Sequence, residues 1–198
     1  MQQNIFGKVA NPIEDLLDYI PGFFNKNESL YFMDQLTNNI AWKQETLKLF
    51  GRSVNTPRLT AWYGDAGITY SYSGRQFSAL PWTKDLLEIK AKVELATDAK
   101  FNSVLLNYYR DGNDSMGWHS DDEPELGVNP IIASINFGQE RRFDFRYKAA
   151  HQQKDHILLT DGSLLLMKGD IQHHWQHQIA KSKKQMGRRI NLTFRYIY

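Results

Sequence analysis

The second half of the chain is a series of short β-rich segments separated by turn-forming residues, and this pattern restricts the fold more than any other feature. The segments are Asn102–Tyr109, Ile131–Phe137, Arg142–Tyr147, His156–Thr160, Ser163–Met167 and Arg189–Ile197. Many short strands separated by Gly, Asp and Asn are typical of an antiparallel sandwich or barrel. We therefore expect a β-barrel core over residues 101–198.

The first 100 residues carry the helical signals. Two stripes with helical spacing are present: one after Asn27, a candidate N-cap, and one after Pro81, where Thr83 can cap the helix. The stripes consist of Leu30, Met33, Leu36, Thr37 and Ile40, and of Trp82, Leu86, Ile89 and Val93. Glu45–Arg52 and Thr56–Gly74 between them have β character. Residues 1–100 are expected to support the core, and the whole chain to form one compact domain.

Composition excludes several classes of protein. The 198 residues include no cysteine, so disulfide scaffolds and thiolate metal sites are ruled out. No apolar run approaches the ~20 residues of a membrane span, and no secretory signal is visible, so we expect an intracellular protein without membrane contact. Net charge is only +2, but residues 109–130 carry −5 and residues 139–195 carry +7. This favours a cation site beside a polyanion-binding surface, although two differently solvated faces would give the same pattern.

His119 and Asp121 are the strongest candidates for metal ligands. On an extended strand, residues two apart project from one face, roughly 6.6 Å apart at Cα. A second histidine would complete the two-His, one-carboxylate set of a non-haem Fe(II) site. The pattern alone leaves His173, His174 and His177 open for that position. His151 and His156 flank a turn-like stretch, Ala149–Asp155, and are expected to be solvated.

The segment Arg189–Arg195 alternates polar and apolar residues throughout. Arg189, Asn191, Thr193 and Arg195 therefore share one face of the predicted strand. Its arginines are about 20 Å apart at Cα. Two long side chains leaning toward each other from that separation would leave room for a small dicarboxylate, with a bidentate fork for each carboxylate. A metal triad next to such a strand points to 2-oxoglutarate.

Together these motifs resemble the AlkB family of Fe(II)/2-oxoglutarate dioxygenases, and in particular the animal homologues that repair alkylated DNA. The resemblance covers roughly residues 50–198 and rests on Asn107-Tyr108-Tyr109, His119-Ser120-Asp121, His177 and Arg189–Arg195. It implies a mainly β fold, a double-stranded β-helix (jelly roll) with N-terminal supporting helices and a nucleotide-recognition hairpin region. It also implies that His177 is the third metal ligand. The side chains implied to contact 2-oxoglutarate are Asn107, Tyr109, Arg189, Asn191, Thr193 and Arg195.

The activity implied by the resemblance is oxidative dealkylation of N-alkylated nucleobases such as 1-methyladenine and 3-methylcytosine. Fe(II), 2-oxoglutarate and O₂ would be used, and formaldehyde, succinate and CO₂ released. Asp122 and Glu123 could attract a cationic base by Coulomb interaction. Tyr70 and Tyr72, on one strand face, could stack a flipped base. Phe50, with Gly51 and Arg52, resembles a finger that inserts into duplex DNA.

DNA, as duplex or single strand, is the expected partner, with RNA as a second candidate, and the protein is expected to be a monomer. Its expected location is cytoplasmic in a bacterium and nuclear in a eukaryote. Two basic groups are candidates for phosphate contacts. They are Arg141, Arg142, Arg146 and Lys148, and Lys181, Lys183 and Lys184.

Two other classes of function compete with repair. One is a 2-oxoglutarate oxygenase that acts on protein side chains, which the basic second half and the Tyr70/Tyr72 pair disfavour. The other is a non-catalytic nucleic-acid-binding module on the same barrel. It would require a lost metal ligand, whereas all three are present in the sequence.

Overall fold

A computed structural model describes residues 12–49, 52–72 and 75–198. Within these ranges, the side chains of residues 47–49, 52, 70–72 and 75–77 lie outside the description. Three α-helices are present there, α1 (Lys26–Asn39), α2 (Lys84–Thr97) and α3 (Ile171–His174). The strands, in chain order, are β1 (Leu17–Ile20), β2 (Thr46–Leu49), β3 (Arg52–Asn55), β4 (Leu59–Gly64), β5 (Thr69–Tyr72), β6 (Arg75–Ser78), β7 (Leu80–Pro81), β8 (Ser103–Tyr109), β9 (Met116–His119), β10 (Ile132–Gly138), β11 (Arg141–Tyr147), β12 (Ala150–Leu159), β13 (Ser163–Met167), β14 (Trp175–Ile179) and β15 (Arg189–Arg195).

Local side-chain contacts fix the starts of the two long helices. Asn25 caps α1: its side chain accepts hydrogen bonds from the backbone N–H groups of Asn27 and Glu28, and the Glu28 carboxylate accepts one from the Asn25 N–H. The predicted cap at Asn27 was therefore wrong by two residues, because Asn27 already lies in the first turn. The start of α2 follows the prediction, since the Thr83 hydroxyl accepts from the Leu86 N–H at 3.3 Å.

The strands form two main sheets and two hairpins. The larger sheet has the order β1-β13-β10-β15-β8-β4-β7, and the smaller sheet has the order β12-β11-β14-β9. Neighbours pair antiparallel, apart from β4 and β7. The separate hairpins are β2–β3 and β5–β6, and in the first of them Leu49 lies opposite Arg52. This mainly antiparallel architecture with supporting helices is the predicted double-stranded β-helix.

A hydrophobic core packs against each face of the larger sheet. Ile135 and Phe137 on β10 share a core with Phe32 and Leu86 of the helices. Ile132 on the same strand belongs to a second core, which joins the larger sheet to the smaller one. Since strand side chains alternate between faces, a strand buried on both faces is apolar nearly throughout. The functional candidates lie between the two sheets.

Two strands differ from the sequence-based expectation. β12 begins at Ala150, although the sequence predicts a turn-like stretch over residues 149–155. Its polar side chains are mostly exposed, His151 and His156 among them, so apolar periodicity gave no signal there. β1, which no pattern had predicted, adds an edge strand to the larger sheet by pairing with β13. That sheet joins strands from both sides of the expected boundary at residue 100.

The helices in the described ranges are all too short or too polar to cross a membrane.

Candidate metal and cosubstrate site

Three candidate metal ligands converge between the two sheets. His119 ends β9 and lies opposite His177 on β14, and the facing Nε2 atoms of the two rings are 3.1 Å apart. One ligand atom each from His119, Asp121 and His177 all lie within 4.8 Å of one another. Of the three histidines left open by the sequence pattern, His177 is the one that joins this group. His173 is exposed, and His174 lies 3.6 Å from the Asp170 carboxylate.

Asp121 reaches the group from a loop, although the sequence placed it on the same strand as His119. The strand ends at His119, and the next residue turns the chain: the Ser120 hydroxyl donates to the Trp175 carbonyl at 2.9 Å. The Asp121 backbone N–H then donates to the Oε1 atom of Gln172 at 3.0 Å. Gln172, which is completely buried on α3, therefore holds the loop that carries the carboxylate.

The electrostatics of the group favour its metal-binding protonation states. Burial alone raises the pKa of Asp121, but the Arg195 guanidinium, whose Nη2 is 2.8 Å from Oδ1, and the two imidazoles lower it to about 2. Burial, together with the nearby His119, lowers the pKa of His177 to about 3. At neutral pH the carboxylate is therefore ionised and this imidazole neutral, which are the forms that ligate a divalent cation.

A narrow cavity adjoins the three ligands, and it gathers all nine residues predicted to bind metal or 2-oxoglutarate. Three further polar or sulfur-containing lining residues, Met116, Ser134 and Met167, were not predicted, and the apolar Phe143, Leu159 and Ile179 complete the wall. The lining residues are Asn107, Tyr109, Met116, His119, Asp121, Ser134, Phe143, Leu159, Met167, His177, Ile179, Arg189, Asn191, Thr193 and Arg195.

Arg189 presents a buried positive charge to this cavity. Its Nη2 donates to Asn136 Oδ1 at 2.5 Å, and its guanidinium carbon lies 4.9 Å from the centre of the Tyr109 ring. Its Nε and Nη1 atoms have no hydrogen-bond acceptor in the described part of the chain. Burial lowers the pKa of Arg189 to about 10, which still leaves it charged at neutral pH. A buried guanidinium with two unused donor atoms fits a carboxylate ligand.

The remaining predicted cosubstrate residues are held by neighbours that the sequence did not indicate. Arg58 Nε donates to Asn107 Oδ1 at 2.8 Å, which turns the Asn107 Nδ2 away from the arginine. The Nδ2 atom of Asn191 donates to Ser134 Oγ at 2.8 Å, and its Oδ1 accepts from the Thr193 hydroxyl at 3.1 Å. Arg58, Ser134, Asn136 and Gln172 are thus part of the site, although their partners are distant in sequence.

The two arginines of β15 do not occupy equivalent positions. The sequence suggested that each would offer a fork to one carboxylate of a dicarboxylate. Arg195 instead pairs with Asp121, the candidate metal ligand, in a bridge in which both side chains are largely buried. Arg189 lies at the other end of the strand, opposite Tyr109 of β8. One arginine is therefore next to the metal position, and the other is remote from it.

The predicted substrate-contacting residues are described only in part. Lys148 Nζ lies 2.8 Å from Asp122, so this carboxylate is paired. Glu123 precedes the 3-10 turn Pro124–Leu126. Tyr70 and Tyr72 lie on β5 and Arg52 begins β3, but their side chains are outside the description, and Phe50 and Gly51 are outside the described residues.

The structure changes the interpretation of the basic residues. Arg141 cannot contact phosphate, because it is 2% exposed and donates to the backbone carbonyls of Asp111, Asp114 and Ala180. Arg142 is exposed beside Asp144. Arg146 stacks over Trp118 with its guanidinium carbon 4.4 Å from the ring centre.

Comparisons with known proteins identify the family of this chain. The profile of the 2OG-Fe(II) oxygenase superfamily matches residues 17–195. The alpha-ketoglutarate-dependent dioxygenase alkB homolog 3 of Rattus norvegicus is 40% identical over 187 residues, which are 90% of this chain and 63% of that protein. The DNA oxidative demethylase ALKBH2 of Homo sapiens is 38% identical over 184 residues, which are 88% of this chain and 70% of that protein. The chain thus spans less than two thirds of the length of the rat protein.

Two solved structures share the fold. That of OsALKBH1 has a TM-score of 0.65 at 16% identity and covers 91% of this chain and 97% of its own. A prolyl hydroxylase from Trichoplax adhaerens, in complex with a hypoxia inducible factor peptide fragment, has a TM-score of 0.61 at 12% identity, with coverages of 91% and 83%. The chain belongs to the AlkB family within the 2OG-Fe(II) oxygenase superfamily.

Fe(II), 2-oxoglutarate and O₂ are the cofactor and cosubstrates of this superfamily. Two observations show that the residues present fit Fe(II) and 2-oxoglutarate. Two imidazoles and one carboxylate are the donor set that Fe(II) accepts in such enzymes. The buried Arg189, with two donor atoms that lack an acceptor among the described residues, fits a dicarboxylate.

Proposed function

We propose that this chain is a dioxygenase that removes N-alkyl groups from nucleobases in DNA, such as 1-methyladenine and 3-methylcytosine, with RNA as a second substrate. The observation that carries the proposal is the convergence of His119, Asp121 and His177 on a cavity that also contains Arg189. Relatives that cover most of the chain at about 40% identity, one of them a DNA oxidative demethylase, support the choice of substrate.

The site residues would have separate roles in binding the metal and the cosubstrate. His119, Asp121 and His177 would hold Fe(II), while Arg189 and Asn107 would bind and orient 2-oxoglutarate. Arg195 keeps Asp121 ionised. When bound, Fe(II) and 2-oxoglutarate supply the oxidation of a C–H bond by O₂. Insertion of an oxygen atom into a C–H bond of the N-methyl group would give an N-hydroxymethyl group. Its N–C bond would then break: the electron pair stays on the nitrogen, the hydroxyl proton is released, and the carbon leaves as formaldehyde.

Substrate binding would use the residues that the sequence predicts to contact the base and the DNA. Tyr70 and Tyr72 are proposed to stack the flipped base, and Asp122 and Glu123 to favour its positive charge. Phe50, Gly51 and Arg52 are proposed to form the tip that enters duplex DNA, which the pairing of β2 with β3 supports. The monomeric state, the use of RNA and the location in the cell stay predictions.

Mass spectrometry of methylated oligonucleotides and methylated peptides, incubated with Fe(II), 2-oxoglutarate and ascorbate, tests the proposal. We expect loss of one CH₂ unit from oligonucleotides that contain 1-methyladenine or 3-methylcytosine, and none from the peptides. Demethylation of the peptides alone would favour the protein-oxygenase alternative instead.

A pair of histidine variants provides the matched control. His177→Ala should abolish turnover, because a metal held by two residues loses affinity. His173→Ala, four residues earlier and exposed, should keep the activity of the unmodified protein. Substantial turnover by the His177→Ala protein would contradict the assigned ligand set.

A further inference from the structure

Asn136 is a polar residue in the middle of the larger sheet. It is 1% exposed and lies on the face of β10 that looks into the space between the sheets. Its partners across the strand pairs are Asn191 on β15 and Ser163 on β13. A buried amide at such a position is costly unless its hydrogen bonds are made.

The surrounding groups fix which way the Asn136 amide points. Its Oδ1 accepts from Arg189 Nη2 at 2.5 Å and from Asn191 Nδ2 at 3.3 Å. Its Nδ2 donates to Ser163 Oγ at 3.3 Å, and the Ser163 hydroxyl itself donates to the Thr160 carbonyl at 2.7 Å. Because a guanidinium can only donate, and the serine proton is already used, the flipped amide would lose these bonds. The oxygen therefore faces Arg189.

Asn136 holds Arg189 without neutralising it. None of the described carboxylates forms an ion pair with Arg189, whose side-chain partners in this part of the chain are the neutral Asn136 amide oxygen and the Tyr109 hydroxyl. The amide engages one guanidinium nitrogen and leaves Nε and Nη1 without acceptors among the described residues. An aspartate in this place would fill the same volume but would take the positive charge for itself.

We propose that Asn136 is a positioning residue for 2-oxoglutarate: it fixes the Arg189 guanidinium with a neutral acceptor, so that the charge remains available to the carboxylate remote from the metal. This rests on the proposed role of Arg189. We assign Arg189 to the carboxylate remote from the metal because Arg195 is the arginine that pairs with the metal ligand Asp121. Arg189 lies six residues away from Arg195, about 20 Å along the strand at Cα.

The test compares two 2-oxo acids bound to the Mn(II)-loaded protein by calorimetry. 2-Oxoglutarate has the remote carboxylate, while 2-oxobutyrate has the same 2-oxo acid group and lacks it. In Asn136→Asp the new carboxylate competes for Arg189, so the Kd of 2-oxoglutarate should rise at least about tenfold. The Kd of 2-oxobutyrate should stay within about twofold of its value for the unmodified protein.

Two further variants separate positioning from a structural effect. Asn136→Ser is neutral but too short to keep Arg189 in place, so it should raise the Kd of 2-oxoglutarate by about threefold to fivefold. In an Arg189→Met background, Asn136→Asp should add no further loss, because the group through which it acts is gone. Melting temperatures are measured on the same samples. A structural role predicts that the affinities for both acids fall together with the melting temperature.

The inference is overturned if Asn136→Asp binds 2-oxoglutarate as tightly as the unmodified protein does, or if it weakens both acids equally. A further loss in the Arg189→Met background would also overturn it. Failure of the unmodified protein to bind 2-oxoglutarate would refute the cosubstrate assignment itself. Binding without demethylation of any nucleic acid would refute only the proposed substrate.

Discussion

Replacing Arg195 by methionine should destabilise the metal-free protein far more than the loss of an ordinary arginine. Methionine has a similar length but cannot pair with Asp121, whose Oδ1 lies 2.8 Å from Arg195 Nη2. The two side chains are 15% and 5% exposed, so water screens their attraction little. The substitution leaves a buried carboxylate between two imidazoles without its cation.

The size of the effect follows from this burial. Removing one partner of a buried ion pair costs about 3–5 kcal/mol, because the other charge stays buried and uncompensated. Asp121 can take up a proton in the variant, which places the loss near 3 kcal/mol. In a protein of this size, 1 kcal/mol of free energy of unfolding corresponds to roughly 2–4 °C. We expect the melting temperature to fall by about 6–12 °C.

Thermal denaturation with and without Mn(II) measures this effect. Mn(II) returns a positive charge to Asp121, so it should raise the melting temperature of Arg195→Met more than that of the unmodified protein. The control is Arg142→Met, since Arg142 pairs with Asp144 at the surface and has a side chain that is 63% exposed. Its loss should cost less than about 1 kcal/mol. Equal losses in the two variants, or an Arg195→Met protein that Mn(II) does not rescue, would refute the reasoning.

Two other predictions concern pH and duplex DNA. The pKa of His177 is about 3 in the folded protein and near 6.5 when unfolded, so unfolding takes up a proton below pH 6.5. The free energy of unfolding of the metal-free protein, measured in urea, should therefore fall by about 2 kcal/mol from pH 7 to pH 5. If the free energy of unfolding of His177→Gln falls equally over this pH range, the prediction is contradicted. Phe50→Ala should lose most activity on a methylated duplex and keep it on a single strand, with an unchanged melting temperature. Loss on both substrates with a lower melting temperature would instead identify a buried side chain, whose truncation costs ~3–5 kcal/mol.

Strands of the core could be predicted where their residues alternate or are apolar throughout. Ser163–Met167 has the predicted bounds, and Arg189–Arg195 begins where expected. Both lie in the larger sheet, where burial imposes a regular pattern. β12 is an edge strand with exposed polar residues, so its first six residues carry no such pattern. β1 is only four residues long and alternates between half-buried and exposed.

The same distinction applies to the site. His119, Asp121 and Arg189 follow short-range spacings that a sequence displays directly. Asn136 and Gln172 were missed because their functional partners lie 53 and 51 residues away. Such contacts depend on strand register and on how the sheets face each other. Without a structure, a buried asparagine or glutamine is indistinguishable from a surface one.

The bridge between Arg195 and Asp121 also has a thermodynamic consequence, because its two ends belong to different layers of the fold. Arg195 ends a strand of the larger sheet, whereas Asp121 follows a strand of the smaller one. His119 and His177 lie on the smaller sheet and Arg189 on the larger one, so the spacing of the sheets sets the distance between the metal position and Arg189. A ligand that fixes this spacing favours the binding of the second ligand. By linkage, the metal and the cosubstrate must therefore raise each other's affinity by the same factor. Amide hydrogen exchange in β14 and β15 should accordingly slow in concert when either ligand is added.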